Sequence, residues 1–166
     1  MTVGIDLAEI EEAAALLEGV TTRTPVEESA SLSDVAGVRV VLKCENLQRT
    51  GSFKLRGASV RIARLTDAEK ARGVVAASAG NHAQGVALAA RELGISAVVY
   101  MPQNAALPKL AATRGYGAEV RQVGTDLSGA LAAAQREAAE TGRVFIPPFD
   151  HRDVVLGQAT LGLEVL

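Results

Sequence analysis

Val74-Val75-Ala76-Ala77-Ser78-Ala79-Gly80-Asn81-His82-Ala83-Gln84-Gly85 opens the part of the chain that decides the fold. Val74 to Ala77 is a continuous apolar run, too short for a helix and suited to a strand buried on both faces. Ser78 to Gly80 break the run. The spacing then predicts a helix from Asn81 to Leu93, stopped by Gly94. The alternation repeats downstream. Ala97 to Met101 reads as a strand, and Pro108 to Arg114 as a helix with proline in its first turn. Glu119 to Val123 reads as a strand, Asp126 to Glu140 as an Ala-rich helix, and Val144 to Ile146 as a strand. This β-α-β-α-β-α-β order with short connections predicts an α/β fold, a parallel twisted sheet with helices on both faces. Such sheets bind ligands beyond the carboxyl ends of their strands.

Working outward, Pro147-Pro148-Phe149-Asp150 breaks the rhythm as a hinge or crossover. Val154 to Leu166 follows as a helix with Val155, Ala159, Leu163 and Leu166 along one side. Upstream, Thr66-Asp67-Ala68-Glu69 has the pattern of a capping box. Before it, Ser52 reads as the N-cap of a helix that carries Phe53, Leu55, Ala58, Ile62 and Leu65 at helical or near-helical spacing. Glu45 to Gly51 is a polar loop and Val38 to Cys44 a β-rich run that predicts a strand. Ser31 to Ala36 predicts a short helix, and Thr24-Pro25 forces an extended or turn segment. Asp6 caps a first helix that runs to about Glu18 and ends at Gly19.

The 166 residues suffice for one domain with a real core, burying roughly 70% of the unfolded surface. Formal charge is −2 and aromatics make up 3% of the residues, so neither a basic footprint nor stacking platforms for nucleic acid are present. Cys44 is the single cysteine, which excludes an internal disulfide or a multi-cysteine zinc site and fits a reducing compartment. The two histidines, His82 and His151, lie far apart in sequence and make a poor metal set. Met1 to Ile10 lacks the basic and apolar pattern of a signal peptide. No apolar stretch approaches the roughly 20 residues of a spanning helix. These features predict a soluble cytoplasmic protein.

Two stretches carry candidate chemistry. Lys54 falls in the first turn of a helix, where the positive end of the dipole disfavours a cation. Burial there would lower its pKa further and leave the neutral amine that Schiff-base chemistry needs. The competing reading is a solvated surface lysine. Ser78 to Gly85 joins a strand to a helix, and free backbone N–H groups at that helix start form an anion site suited to an α-carboxylate. The competing reading is an ordinary strand-to-helix turn with small residues for tight packing. Asn81 can donate a hydrogen bond to a ring oxygen, and His82 reads as structural. Thr24-Pro25 and Arg56 read as structural, and Lys109 as a surface charge. No Walker loop, no G-x-G-x-x-G and no G-x-S-x-G is present; Gly115-Tyr116-Gly117 precedes a strand, where a dinucleotide loop would follow one.

The run Glu45-Asn46-Leu47-Gln48-Arg49-Thr50-Gly51-Ser52-Phe53-Lys54-Leu55-Arg56-Gly57-Ala58 resembles the cofactor-lysine segment of the threonine dehydratases (threonine ammonia-lyases). Thr24-Pro25 and Ser78-Ala79-Gly80-Asn81-His82-Ala83-Gln84-Gly85 agree in the same order, and the similarity covers nearly the whole chain. These are fold-type II pyridoxal 5'-phosphate (PLP) enzymes, tryptophan synthase β-like in fold and grouped with serine racemase and serine dehydratase. The resemblance implies that Lys54 carries PLP as a Schiff base and that Phe53 lies against its ring. It implies that Asn81 contacts the cofactor's 3′ oxygen, and that Ser78, Ala79, Gly80, Asn81 and His82 hold the substrate carboxylate. Serine racemases typically carry serine where Ala79 stands, so the resemblance favours elimination over racemisation. The implied activity converts L-threonine to 2-oxobutanoate and ammonia, and L-serine to pyruvate, in a homo-oligomer of amino-acid metabolism, isoleucine biosynthesis included. Alternatives are a non-catalytic remnant or assembly partner that pairs through Val154 to Leu166, or a serine racemase or hydroxyaspartate dehydratase of the same fold. The implied division is residues 1–66 in the large PLP-binding domain with the lysine helix, 67–149 in a small α/β domain, and 150–166 returning to the large domain. The glycine-rich phosphate loop and the serine or cysteine facing the pyridine nitrogen are expected beyond Leu166, so the chain reads as a truncated unit.

Overall fold

A four-stranded parallel sheet lies at the centre of the computed structural model, which describes residues 4–166. Met1 to Val3, the start of the amino-terminal stretch, lie outside the described residues. The strands are β3 (Val74–Ala77), β4 (Ala97–Met101), β5 (Glu119–Gln122) and β6 (Val144–Phe145), in the order β5-β4-β3-β6. Val74 pairs with Ala97 on one side and Val144 on the other, and Val98 pairs with Glu119. Helix α5 (Asn81–Glu92) covers one face and α7 (Leu127–Thr141) the other. Alternation along the strands explains why both faces are dry. Val74, Ala76, Val99 and Met101 meet Ala83, Val86, Ala87 and Ala90 of α5. Val75, Ala77, Val98 and Tyr100 meet Ala130, Ala133 and Ala134 of α7. Alanine at these helix positions lets each helix lie close to the sheet. The parallel sheet with helices on both faces is as the sequence predicts.

A second helical layer backs α5. Helix α3 (Lys54–Ala63) packs on α5, and α8 (Arg152–Val165) packs on α3. Both crossings depend on glycine. A Cβ on Gly85 would sit 3.0 Å from the Lys54 carbonyl oxygen, so α5 touches the α3 backbone at the candidate lysine itself. A Cβ on Gly157 would sit 2.6 Å from Gly57 Cα, so α3 and α8 meet backbone to backbone. Helix α1 (Leu7–Ala15) closes this layer, with Ala13, Leu17, Val60 and Leu156 in a small core. Helices α4 (Asp67–Arg72) and α6 (Leu107–Gly115) and the short α2 (Ala30–Ala36) complete the chain. Thr66 forms the expected capping box with Glu69, and Asp6 forms one with Glu9 at the start of α1.

Three local expectations need correction. Ser52 does not cap α3. Phe53 occupies the N-cap position, and Ser52 is one residue too early, with its hydroxyl buried and unpartnered. The strand expected over Val38 to Cys44 narrows to β2 (Val41–Lys43), whose pairing runs only from Val41 opposite Glu28 to Lys43 opposite Val26. Its antiparallel partner β1 (Val26–Glu28) falls in the segment read only as extended or turn, and all three of its residues are exposed.

Candidate functional site

Lys54 is the first residue of α3, and its position follows from the turns over residues 49–53 that lead into the helix. Its side chain is half-buried, and the Nζ donates a hydrogen bond of 2.7 Å to the carbonyl oxygen of Pro148. The same Nζ lies 5.4 Å from the centre of the Phe53 ring. Burial lowers the Lys54 pKa below the ordinary lysine value. A depression of about 450 Å³ opens beside it, lined by Phe53, Lys54, Pro148 and Phe149 and by Val154, Val155, Gln158 and Ala159 of α8. This is an amine poised toward its neutral form, next to an aromatic face and an apolar wall. That donor set fits the aldehyde and flat ring of pyridoxal phosphate.

The first turn of α5 stands beside the first turn of α3, as the contact of Gly85 with the Lys54 backbone requires. His82 is buried, and its Nε2 lies 2.9 Å from the Ile146 carbonyl oxygen. A carbonyl only accepts, so Nε2 carries a proton. Burial, assisted by the nearby Lys54 charge and opposed by that hydrogen bond, lowers the His82 pKa to about 4. His82 therefore serves as a tie between α5 and the end of β6, in agreement with its structural reading.

Within the Ser78–His82 turn the amides are unequal. The Ser78 N–H donates to the Tyr100 carbonyl as an extension of the sheet. The Gly80 N–H donates to Ser78 Oγ at 3.1 Å. The amides of Asn81 and His82 open α5 with no helical carbonyl behind them. Ala79 and Asn81 are exposed. None of Ser78, Ala79, Gly80, Asn81 and His82 lines the depression beside Lys54; the turn flanks it.

Two arrangements escaped the sequence reading. Lys109, read as a surface charge, donates from Nζ to Asn81 Oδ1 at 2.8 Å. Arg56 is buried and central to an ion network. It donates from Nε and Nη2 to the two Glu45 carboxylate oxygens at 2.9 Å each, and from Nη1 to Glu164 at 2.6 Å. Thr24 donates to Glu45 at 2.7 Å, and Lys43 donates to Glu164 at 2.5 Å. Burial pushes the Glu45 pKa up, yet the hydrogen bonds from Arg56 and Thr24 outweigh it and hold the carboxyl below its ordinary value. The network ties α3, two residues past Lys54, to α8 and to the loop over Glu45–Leu47. A charged residue amid Leu55, Gly57 and Ala58 was the available signal, but its partners lie far off in sequence.

The model of the family described as pyridoxal-phosphate dependent enzyme matches residues 17–166. The chain belongs to that pyridoxal-phosphate dependent enzyme family. An L-threonine ammonia-lyase of Thermotoga maritima is 51% identical over 162 residues, covering 98% of this chain and 40% of that protein. The processed form of threonine deaminase isoform 2 from Solanum lycopersicum superposes with a TM-score of 0.86 at 38% identity, over 98% of this chain and 46% of that one. Maize serine racemase superposes with a TM-score of 0.91, also at 38% identity, over 96% of this chain and 49% of that one. The chain thus spans 40 to 49% of the length of these members of the PLP family.

Proposed function

We propose that this chain supplies the lysine half of the active site of a PLP-dependent threonine ammonia-lyase, which converts L-threonine to 2-oxobutanoate and ammonia and acts likewise on L-serine to give pyruvate. The carrying observation is Lys54, a half-buried amine with a depressed pKa between the Phe53 ring and the Pro148 carbonyl. Kinship with threonine ammonia-lyase and threonine deaminase supports the substrate. Pyridoxal phosphate, once bound, delocalises the charge left when the α-proton of an amino acid is removed. Residues of this chain would supply the roles that follow. Lys54 would hold the cofactor through Nζ and, as a free amine, would accept the α-proton there; burial favours the neutral form this needs. The open amides at the start of α5 receive the substrate carboxylate, with Ser78, Ala79 and Gly80 forming the turn around it. Asn81 would donate to the ring oxygen, and Phe53 would supply an aromatic face for the ring. Phosphate and pyridine-nitrogen contacts fall, by the family resemblance, to residues beyond Leu166.

Likeness to serine racemase favours a second reading on fold alone, and Ala79 counts against it, because alanine offers no proton donor or acceptor for the opposite face. Cytoplasmic location, a homo-oligomeric state and a place in isoleucine biosynthesis belong to the same proposal. Location is supported by the single cysteine and by helices that are, among the described residues, too short or too polar to cross a membrane. Borohydride reduction after adding PLP, followed by peptide mapping, tests the lysine. The expected adduct is on Lys54 ahead of Lys43, Lys70 and Lys109; labelling spread evenly over the four, or none, overturns the assignment. In the complete enzyme, Lys54→Ala is expected to abolish threonine turnover, and turnover close to wild type would overturn it.

A further inference from the structure

Lys109 is the third residue of α6, a place where the helix dipole disfavours a cation. Its ammonium reaches across to α5 and donates to Asn81 Oδ1 at 2.8 Å. One further bond holds the end of α6 against this part of the molecule: the Tyr116 hydroxyl donates to the Arg49 carbonyl at 2.9 Å. An ammonium has donors and no acceptor, so the Asn81 atom facing it must be the oxygen. The amide orientation is thereby fixed. Nδ2, which makes no hydrogen bond among the described residues, is the side-chain group of Asn81 left for a ligand.

We infer that Lys109 is a positioning residue: it locks the Asn81 amide so that only its N–H donors face the ligand, and it adds positive charge beside the open end of α5. The ligand group this arrangement selects is an anionic oxygen that accepts, the ring oxygen of PLP in the reading above, on which this inference rests. Without the lysine, the amide is free to rotate and present its oxygen, which repels an anion. The positive charge suits the same oxygen twice over, through the donor it orients and through its own field at an N-terminus already short of electrons.

The test compares wild type, Lys109→Met, Lys109→Arg and Lys54→Ala. The readouts are the Asn81 side-chain amide resonances by 15N NMR and the PLP dissociation constant from visible absorbance. Lys109→Met is expected to move the Asn81 side-chain resonances in the ligand-free protein and to weaken PLP binding about tenfold, the loss of one charge-assisted hydrogen bond. Lys109→Arg, which keeps charge and donor, is expected to restore PLP affinity to within about twofold, a rescue that a purely structural role would not require. Asn81 resonances and PLP affinity in Lys109→Met that match wild type would overturn the inference. If Lys54→Ala binds PLP as tightly as wild type, the lyase reading falls. The ligand-free Asn81 resonances then decide the lysine alone: displaced in Lys109→Met and not in Lys109→Arg, they sustain the locking role, and undisplaced they refute it.

Discussion

Two glycines in the same helix are expected to respond to alanine with opposite signs. Gly157 faces α3, where an added Cβ would lie 2.6 Å from Gly57 Cα, 2.7 Å from the Arg56 carbonyl oxygen and 2.9 Å from the Arg56 carbonyl carbon. All three are backbone atoms, so no side chain can swing away. Carbon pairs rest at about 3.5–4.0 Å, so the helices must part by roughly 1 Å at the crossing. Overpacking of this kind costs about 1–3 kcal/mol. Alanine in a helix interior returns about 1 kcal/mol relative to glycine, leaving Gly157→Ala less stable by up to about 2 kcal/mol. Among the described residues, nothing beyond its chain neighbours and its own helix backbone comes within 4 Å of a would-be Cβ on Gly162. Gly162→Ala should therefore keep the helix gain and be more stable by about 0.5–1 kcal/mol. Urea unfolding followed by circular dichroism reads both. With a slope of about 2 kcal/mol per molar, the two midpoints should differ by roughly 1 M. A Gly157→Ala midpoint equal to or above that of Gly162→Ala would refute the backbone-contact reasoning.

Three further outcomes follow from the structure. Arg56→Met leaves Glu45 and Glu164 without their shared cation, and is expected to cost about 3–5 kcal/mol in urea unfolding; Arg56→Lys should recover only part, because the fork to Glu45 is lost, and a loss below about 1 kcal/mol in the methionine variant would contradict the network's role. For His82, the folded-state pKa is depressed to about 4 from 6.5, so the unfolded chain binds more protons between those values. Stability from this group is present above pH 6.5 and lost as pH falls toward 4, at up to about 1.4 kcal/mol per pH unit, and the pH dependence of urea midpoints should flatten across that window in His82→Gln. Thr66→Ala removes the cap of α4 and should lower stability by about 1 kcal/mol, read by the same unfolding assay; an unchanged midpoint would show that the cap contributes nothing.

The two central strands were legible because they are buried on both faces and so appear as uninterrupted apolar runs; Val74–Ala77 and Ala97–Met101 match the expected bounds to the residue. Val26–Glu28 was not, since an exposed ladder rung leaves no apolar period to read. The cap of α3 failed for a different reason. Ser52 has the right chemistry, but Gly51 turns with a φ of 69° and Phe53 takes helical angles, which sets the helix start one residue later. At the candidate site, the place of Lys54 at a helix start was legible in the sequence. Its partner was not, because the Pro148 carbonyl is 94 residues away and carbonyl positions leave no mark in a sequence. The same holds for Lys109 and Asn81, separated by 28 residues, and for Arg56 and Glu164, separated by 108.

The segment after β6 explains how these distant groups are held in register. His82 binds the Ile146 carbonyl and Lys54 binds the Pro148 carbonyl, so the first turns of α5 and α3 hang from neighbouring residues of one strand exit. Asp150, with a φ of 53°, then bends the chain into α8; aspartate is among the few residues that enter this region at small cost. Helix α8 returns along α3, where Gly57 and Gly157 meet and Arg56 is clasped by Glu45 and Glu164. Strand exit, α8 and α3 therefore form a closed circuit with Lys54 at the point of closure. In such a circuit the lysine cannot shift without breaking either a backbone contact or a buried ion pair. That constraint is what the role proposed for Lys54 would need, since its amine would have to meet a carbonyl carbon within a fraction of an ångström.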